Sequence, residues 1–533
     1  MTTLLSRRAT LQAALETTYN TPVSVANTDA ILVNNPMFTV TPNVLERDFT
    51  RNDLSQLPFI IGRKIAKIEF ETELRGNGKE GTGLLASAPV IARLFQACGF
   101  TLAGKPGVTT LGPYQTNDQT NPITWSTSSG HVASDVLTFT GIPSNGDTVT
   151  VGSQTYTFKT TLTPAANEVL IGGSEANAIA NLAAAINLAT GSGTTYGGAT
   201  TKNAYVSAAY TTTTLTASAF SQGTYGNSIG ATATSSACTW ATSTLTSGTN
   251  VGSNTTLIAY YLNVTTGGAS GAAQVTITSD TTGEGSGPVT LTSGSPLTVG
   301  TQGLTLTPTW SGSLVAGQRW VAWLLPPGLQ LQPVSTGISS VTIFLNKDSV
   351  QHQMPGAIGT FDITAEAGQY AKIKWTFTGT YVAPIDSALP TNLVFEQTLP
   401  HQIELARLQA DDFPAIVAKF TYNQGNDIQP RMDVNAADGY LGVRLVSRKP
   451  EGGFDPESDN VANHDFWGRM AAAQRMPFQM AIGTATNNII WFLATNSQYS
   501  GLTYQDRNGI LTYQAGLRFA RQNGDDEVFI HFA

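Results

Sequence analysis

Charged residues are scarce in this chain: Asp, Glu, Lys and Arg make up 12% of its 533 residues, and the net charge is −8. Tight binding of nucleic acid depends on clustered Lys and Arg that displace counterions from phosphates, so this composition argues against it. Only two cysteines occur, Cys98 and Cys238, and they fall in different predicted domains. A disulfide framework is therefore not expected, and folding in a reducing cytoplasm is acceptable.

Long apolar runs are also missing. No run reaches the roughly 18 residues that a membrane-spanning helix needs, and the N-terminal residues lack the basic-then-apolar order of a signal peptide. We therefore expect a soluble protein that does not follow the usual secretory route. Gly, Thr, Ser and Ala are abundant instead, a balance more typical of β-rich surface or virion proteins than of metabolic enzymes.

Catalytic and metal-binding motifs are absent as well. The five histidines are scattered without the i, i+4 spacing of a helical metal pair, and neither G-x-S-x-G nor C-x-x-C occurs. Gly76–Gly81 matches G-x-G-x-x-G, but no acidic residue follows at the ribose-binding distance, so a flexible loop is the better interpretation. Asp411–Asp412 and Asp525–Glu527 are interpreted as solvated turns, and His464–Asp465 as a helix cap. No catalytic residue, cofactor or metal is predicted.

What the sequence does contain is an internal repeat. Ile65–Leu74 has a counterpart about 375 residues later at Tyr440–Ser447, and the predicted helix Pro89–Ala97 has one at Asn463–Gln474. These matches predict a duplicated domain.

A second pair of matching segments has a different offset. Gly359–Gly368 leads into the predicted strand Ala371–Phe377, and Gly509–Gly516, which leads into Val528–Phe532, echoes it about 150 residues later. The two offsets differ by about 225 residues, nearly the length of the Thr-, Ser- and Gly-rich segment from Lys105 to Leu331. The first copy is therefore predicted to carry a long insertion.

The segment Ile65–Leu74 predicts a strand with one apolar and one charged side. Strict alternation places Glu69, Glu71 and Glu73 on the charged side. Three glutamates in a row on one face suit a wet channel or a polar contact between subunits, and a plain solvated face is the alternative.

Nearer the N-terminus, Leu4–Ala14 is expected to form a short helix or an arm that orders on a partner.

The insertion is predicted to hold two β-rich modules. In the first, a hairpin precedes a helix that begins after Ser174, which is a good N-cap residue, and ends before Gly191. The second has five strand candidates between Leu257 and Leu325, in a pattern that looks immunoglobulin-like. After Val341 alternating strands return, and the proline-rich segment Tyr381–Pro400 is a predicted linker.

Three segments outside the insertion carry a resemblance to a known family: IIGRKIAKIEFETELRGNG, SSVTIFLNKDSVQHQMPGAIGTFDITAEAGQYAKIKWTFTGTYVAPIDSALP, and the closing GDDEVFIHF. They resemble the major tail tube proteins of long-tailed, siphovirus-like bacteriophages. The resemblance implies a mainly β fold: a duplicated tail-tube β-sandwich or barrel domain with flanking helices, plus the two inserted modules. The expected domains are residues 1–104 with 332–385, 105–250, 251–331, and 386–533.

The resemblance also implies a structural, non-enzymatic role in the virion, with assembly in the host cytoplasm. Six domains commonly form each ring of such a tube, so three duplicated chains would make a trimeric, pseudo-sixfold ring. Stacked rings would form a conduit through which DNA is ejected without tight binding, with Glu69, Glu71 and Glu73 as candidate lumen-lining residues. Tail tip and tail terminator proteins would be partners, and the inserted modules would project outward, in a position to contact host-surface glycans.

Two alternatives come from other classes of protein. A surface adhesin or fibre would use the Thr-, Ser- and Gly-rich modules to bind host glycans and the remainder as an anchor. A glycan-processing enzyme on a β scaffold would need convergent Asp or Glu pairs, and the sequence does not offer them.

Overall fold

The structure, a computed structural model, describes residues 4–5, 7–76, 88–110, 124–127, 132–222, 224–248, 257–301, 304–404, 406–436, 439–483, 488–522 and 524–533. Strands account for 50% of it and helices for 7%, so the protein is mainly β, as predicted. The chain divides into two compact units, the first made of Met1–Gly78, Pro89–Leu102 and Leu331–Phe532, and the second chiefly of Ala103–Gln330. No helix in the described ranges is long and apolar enough to cross a membrane.

Most elements up to the end of the insertion are short. They are β1 Ala9–Leu15, β2 Ala30–Ile31, β3 Asn34–Leu45, β4 Ile60–Glu73, α1 Ala92–Gln96, β5 Phe100–Thr110, β6 Thr124–Thr127, β7 Val132–Phe139, β8 Thr148–Val151, β9 Gln154–Lys159, β10 Glu168–Leu170, α2 Glu175–Asn187, β11 Val206–Tyr210, β12 Thr214–Gln222, β13 Ala231–Ala233, β14 Cys238–Trp240, β15 Ile258–Thr266, β16 Gln274–Ser279, β17 Ser286–Thr290, β18 Leu297–Val299, β19 Leu304–Thr309 and β20 Arg319–Pro333.

The remaining elements include the longest strands of the chain. They are β21 Val341–Lys347, β22 Val350–Glu366, β23 Lys372–Thr380, β24 Ile385–Asp386, β25 Gln409–Ala410, β26 Phe413–Pro414, β27 Lys419–Asn423, β28 Asn426–Met432, β29 Tyr440–Arg448, β30 Glu451–Phe454, α3 Phe466–Ala471, β31 Met476–Ile482, β32 Ile490–Arg507, β33 Ile510–Ala520 and β34 Phe529–Phe532.

The first unit contains two sets of antiparallel strands with the same spatial order. In the first set the order is β2, β1, β21, β22, β23, β4, β3. In the second set it is β26, β25, β31, β32, β33, β30, β27. The strands β28 and β29 extend the β27–β30 hairpin, just as β3 and β4 form one long hairpin. The order along the chain is also the same in both sets.

The helix between the hairpin and the next strand is fixed in the same way in each set. Arg93 of α1 forms an ion pair with Asp29, which lies just before β2, at 2.6 Å. Arg469 of α3 forms one with Asp411, which lies just before β26, also at 2.6 Å. The connection from α3 to β31 takes four residues, 472–475, whereas the connection from α1 to β21 contains the whole insertion.

The two sets join edge to edge. Five residues at the carboxyl end of β22, from Asp362 to Glu366, pair with β27, from Asn423 to Lys419. At this junction the ring of Phe361 lies 5.8 Å from that of Tyr422. The apolar cores of the two sets are therefore continuous beneath one sheet.

In the second unit, two separate apolar cores correspond to two modules. Residues of β7–β14 and α2 form one core, and residues of β15–β20 form the other. As predicted, Ser174 caps α2 by accepting a hydrogen bond from the Asn177 amide, and Ile179, Leu182 and Ile186 are buried. The strand β6, which precedes the first module in the chain, pairs with β19 of the second.

Several local expectations were wrong. Leu4–Ala14 is not a helix: β1 occupies most of it and is held as a strand between β2 and β21. The helices α1 and α3 are shorter than predicted: they begin at Ala92 and Phe466, three residues later than expected, and α3 also ends before Ala473, whose backbone is left-handed (φ +47). Gly509–Gly516 does not match Gly359–Gly368, since the former enters β33 and the latter ends β22, whose topological counterpart is β32.

His464 lies in the core of the second set. Its Nε2 is 3.0 Å from the Tyr499 hydroxyl, and its ring stacks on Phe413 with centroids 4.6 Å apart. Asp465 is the N-cap, as predicted, because its Oδ1 accepts a hydrogen bond from the Gly468 amide at 2.7 Å. Burial, reinforced by Arg469, lowers the pKa of His464 to about 4.

This histidine should make the first unit sensitive to acid. Between pH ~6.5 and ~4 the unfolded chain binds a proton at His464 and the folded chain does not, so stability present above pH ~6.5 is lost as the pH falls, by up to about 3 kcal/mol. In His464→Gln, denaturant unfolding should show a correspondingly smaller loss between pH 7 and pH 4.5. The exposed neighbour variant Ala462→Gln should behave like wild type, and an unchanged pH dependence in His464→Gln would refute the assignment.

Candidate functional site: a charged sheet face and two open strand edges

The predicted alternation of β4 is confirmed. Ile68, Phe70 and Thr72 are buried, whereas Glu69, Glu71 and Glu73 are half-buried on the opposite face. The neighbouring strand β23 alternates in step, with Trp375 paired to Phe70. The three predicted glutamates therefore share one polar face of the sheet.

Lysines on the same face lie opposite these glutamates. In the β4–β23 register Lys374 pairs with Glu71 and Lys372 with Glu73. The Lys67 ammonium lies 2.5 Å from a Glu69 carboxylate oxygen, and this hydrogen bond lowers the pKa of Glu69. Alternation along β23 puts Lys372 and Lys374 on one side of the strand, and the pairing of β4 with β23 brings them to the glutamates.

The charged face continues across the junction into the second set. Glu366 of β22 forms an ion pair with Lys419 of β27 at 2.6 Å, and the same contact lowers the pKa of Glu366. Further along, Glu451 of β30 lies 3.2 Å from Arg518 of β33. Burial raises the pKa of Asp362, against an opposing effect of Lys374.

Opposite charges nearly balance on this face. The charged residues that follow the cross-strand registers are Lys67, Glu69, Glu71, Glu73, Asp362, Glu366, Lys372, Lys374, Lys419, Glu451 and Arg518. Six are carboxylates and five are cations, so the face is a ladder of alternating charge and not the uniformly acidic surface that Glu69, Glu71 and Glu73 alone suggested.

Other acidic residues singled out in the sequence have structural partners. Asp411 is 1% exposed and bound to Arg469, and is not a solvated turn residue. Asp525 and Glu527 both bind Arg448, whose side chain is only 11% exposed. The solvated-turn interpretation was therefore wrong for Asp411, Asp525 and Glu527, because their arginine partners lie 58 to 79 residues away in the chain. It holds for Asp412, which is exposed in a turn.

No reaction centre emerges from the described ranges. Among their His, Cys, Asp and Glu side chains, no group of three or more could hold a metal ion. The Gly76–Gly81 motif is described only at its first residue, since residues 77–81 lie outside the described ranges. The Gly76 amide donates a hydrogen bond to Asn488 Oδ1 at 2.7 Å. A polar groove of about 420 Å³ on the second set is lined by Lys419, Asp455 and Arg507 among others, and Asp455 and Arg507 already pair at 3.1 Å.

Among the described pairings, the open strand edges include those of two long strands, β3 and β32. The strand β3 pairs only with β4. The carboxyl half of β32, from Gly501 to Arg507, pairs only with β33, since β31 and β34 cover its first half. In the first set the matching half of β22 is covered by β27.

Near the open β32 edge three large hydrophobic side chains of the second set are exposed: Trp467, Tyr504 and Leu511. Tyr504, paired with Tyr513, is 54% exposed. At the covered edge of β22, by contrast, Ile363, which is paired with Ile373, is 2% exposed. The Tyr504 ring lies 5.5 Å from that of Trp467. An apolar surface that is covered within the chain at one edge is thus uncovered at the equivalent edge.

Comparison with protein-family models and with curated proteins finds no match for this chain.

The charge ladder predicts a specific pattern of stability. Replacing Glu69, Glu71 and Glu73 by lysine places like charges opposite Lys374 and Lys372, and should lower the free energy of unfolding by about 1–3 kcal/mol, since each cross-strand pair contributes roughly 0.2–1 kcal/mol. Adding Lys372→Glu, which lies opposite Thr364 on its other side, restores opposite charges at the pair with position 73 and should recover part of that loss in denaturant unfolding. If the fourfold variant were no more stable than the triple variant, this cross-strand pair would not interact.

Proposed function

We propose that this chain is a structural virion protein that polymerises into stacked rings, forming the tail tube of a long-tailed bacteriophage. The observation that carries the proposal is the pairing of β22 with β27. It joins two strand sets of identical order, and the edges that would repeat the same junction, β32 and β3, are open among the described pairings.

Ring closure follows from repeating that internal junction between chains. The β32 edge of one chain pairs with the β3 edge of the next chain, because β3 is the counterpart of β27 and β32 is the counterpart of β22. Tyr504 and its neighbours would then be covered as Ile363 is covered within the chain. Unpaired edges invite uncontrolled association, and closure into a barrel removes them.

The duplication sets the stoichiometry of the proposed ring. The two strand sets are the two tail-tube domains, residues 1–104 with 332–385 and residues 386–533, so three chains supply six ring positions. Residues 105–331 contribute inserted modules of the immunoglobulin-like kind, displayed on the outside of the tube.

The charged sheet face suits the lining of a DNA conduit. Lysines and arginines that already pair with carboxylates have little charge and few N–H donors left for phosphate. The counterion release that drives tight DNA binding is therefore small. The alternating ladder that includes Glu69, Glu71 and Glu73 would let DNA pass without sticking. Tail tip and tail terminator proteins would cap the two ends, and no catalytic step is involved.

The ring junction can be tested at Tyr504. Tyr504→Arg places a charge in the proposed junction, where it would be desolvated, and should abolish rings and tubes. The monomer should stay folded, because the side chain at position 504 is exposed in it. Tyr210→Arg in the second unit is the matched control, because Tyr210 is 57% exposed. Negative-stain microscopy of purified protein shows whether tubes form. Native mass spectrometry shows whether the assemblies contain three chains or a multiple of three.

Two results would refute the proposal. One is a wild-type protein that stays monomeric under all assembly conditions. The other is a Tyr504→Arg variant that assembles as well as Tyr210→Arg, with circular dichroism showing both variants folded.

A further inference from the structure

A short stretch of β3 repeats the pattern of β27. Met37–Thr41 reads MFTVT and Lys419–Asn423 reads KFTYN, with Phe and Thr at the same two places. Phe38 pairs with a buried residue of β4, and Phe420 pairs with a buried residue of β30. The two stretches therefore hold equivalent places at the edges of their strand sets.

Only one of the two stretches is covered. Phe420 and Tyr422 are each 1% exposed, and β22 pairs with β27 along Lys419–Asn423. Phe38 and Val40 are only half-buried, and among the described pairings β3 has no neighbour other than β4. A further strand at this edge would cover both side chains.

Prolines stand at both ends of the β3 stretch, since Pro36 directly precedes it and Pro42 directly follows it. Proline has no N–H, and within sheets its nitrogen is confined to the side that faces an open edge. Backbone groups of every second residue face the same side of a strand, so the N–H groups of Phe38 and Val40 face the open edge together with the nitrogen of Pro42. The edge therefore offers two donors, followed by a position that offers none.

The pairing of β3 with β4 is also irregular at both prolines. Its register shifts between Asn34 and Met37, and again between Pro42 and Val44. Shifts of this kind bend a strand and interrupt its ladder. The regular part of β3 between the prolines is Met37–Thr41, which has the same five-residue length as β27.

The strand β27 forms an equivalent edge without such prolines. Its neighbours in the chain are Ala418 and Gln424, and its edge is already paired within the chain. Prolines therefore flank the stretch whose edge is open before assembly and do not flank the stretch whose edge is covered. Proline is one of the residues by which native proteins protect open strand edges from uncontrolled pairing.

We propose that Pro36 and Pro42 determine the specificity of the junction between chains: they confine pairing with the β32 edge of a second copy to Met37–Thr41 and so set its register. The inference rests on the proposed function, which joins these two edges. A shift of two residues keeps the same faces together, so side-chain burial discriminates weakly against it. Such a shift would bring a proline into the ladder, with the loss of a hydrogen bond.

Cysteine pairing reads out this register. Thr39→Cys is combined in turn with one substitution on the same polar face of β32, which is Gly501→Cys, Thr503→Cys, Gln505→Cys or Arg507→Cys. The native Cys98 and Cys238 are buried. After oxidation of assembled rings, one of the four pairs should give most of the covalent links between chains. With Pro36→Thr and Pro42→Thr added, this dominance should be lost and at least two pairs should cross-link to a similar extent.

The outcomes separate this inference from the proposed function. An even spread over the four pairs when the prolines are present, or one dominant pair both with and without them, overturns the inference and leaves ring formation standing. Rings in which none of the four pairs cross-links overturn the β3–β32 junction itself. Absence of rings from wild type overturns both the inference and the proposed function.

Assembly of the proline variants provides a second test. Pro36→Thr with Pro42→Thr gives β3 a longer regular edge, so uniform rings in negative-stain images should be replaced by irregular aggregates. Each single variant keeps one proline and should give an intermediate loss of uniform rings. The control Pro384→Thr changes an exposed proline outside the strands and should assemble like wild type. Uniform rings from all three β3 variants, indistinguishable from those of the control, overturn the inference.

Discussion

The pairing of β22 with β27 is the constraint on which the first unit depends. It satisfies the backbone groups of a strand that would otherwise be open along its last five residues, and it makes two apolar cores into one, with Phe361 and Tyr422 in contact. Because side chains alternate along a strand, the register of this pairing decides which residues of both sets face the polar side. A shift by one residue would bury Lys419 and expose Phe420.

The same registers fix the core and the charge ladder together. In the β4–β23 pair, the register that places Trp375 opposite Phe70 also places Lys374 opposite Glu71. The Trp375 indole then donates a hydrogen bond to Thr72 Oγ1 at 2.8 Å, which satisfies the polar atom of a buried ring. The alternating charges on the polar face therefore need no separate structural feature. They follow from core packing and from the alternation of side chains along each strand.

Sequence reasoning succeeded where the signal is local. The alternation of β4 and β23, the cap at Ser174 and the buried stripe of α2 depend on neighbours within a few residues, and all were predicted correctly. It failed where a distant partner decides the outcome. Nothing near Asp411 or Asp525 indicates Arg469 or Arg448, and nothing near β1 indicates that β21, more than 300 residues away, holds it as a strand.

The predicted repeat rests on local patterning, whereas its second offset was misassigned because distant strand pairing decides it. The segments Ile65–Leu74 and Tyr440–Ser447 both lie in the second strand of a long hairpin, so local patterning was enough to relate them. Relating β22 to β32 instead of β33 requires knowing which strand pairs with β31, and Gly-rich turns look alike on either side of a hairpin.

Fusion of two strand sets in one chain allows the two positions to differ. The connection before β21 holds more than 200 residues and the equivalent connection before β31 holds four, while the first hairpin is long and apolar and the second short. A ring of six identical chains would carry each of these features six times. In the proposed ring of three chains each occurs three times, so that adjacent insertions are separated by a position without one.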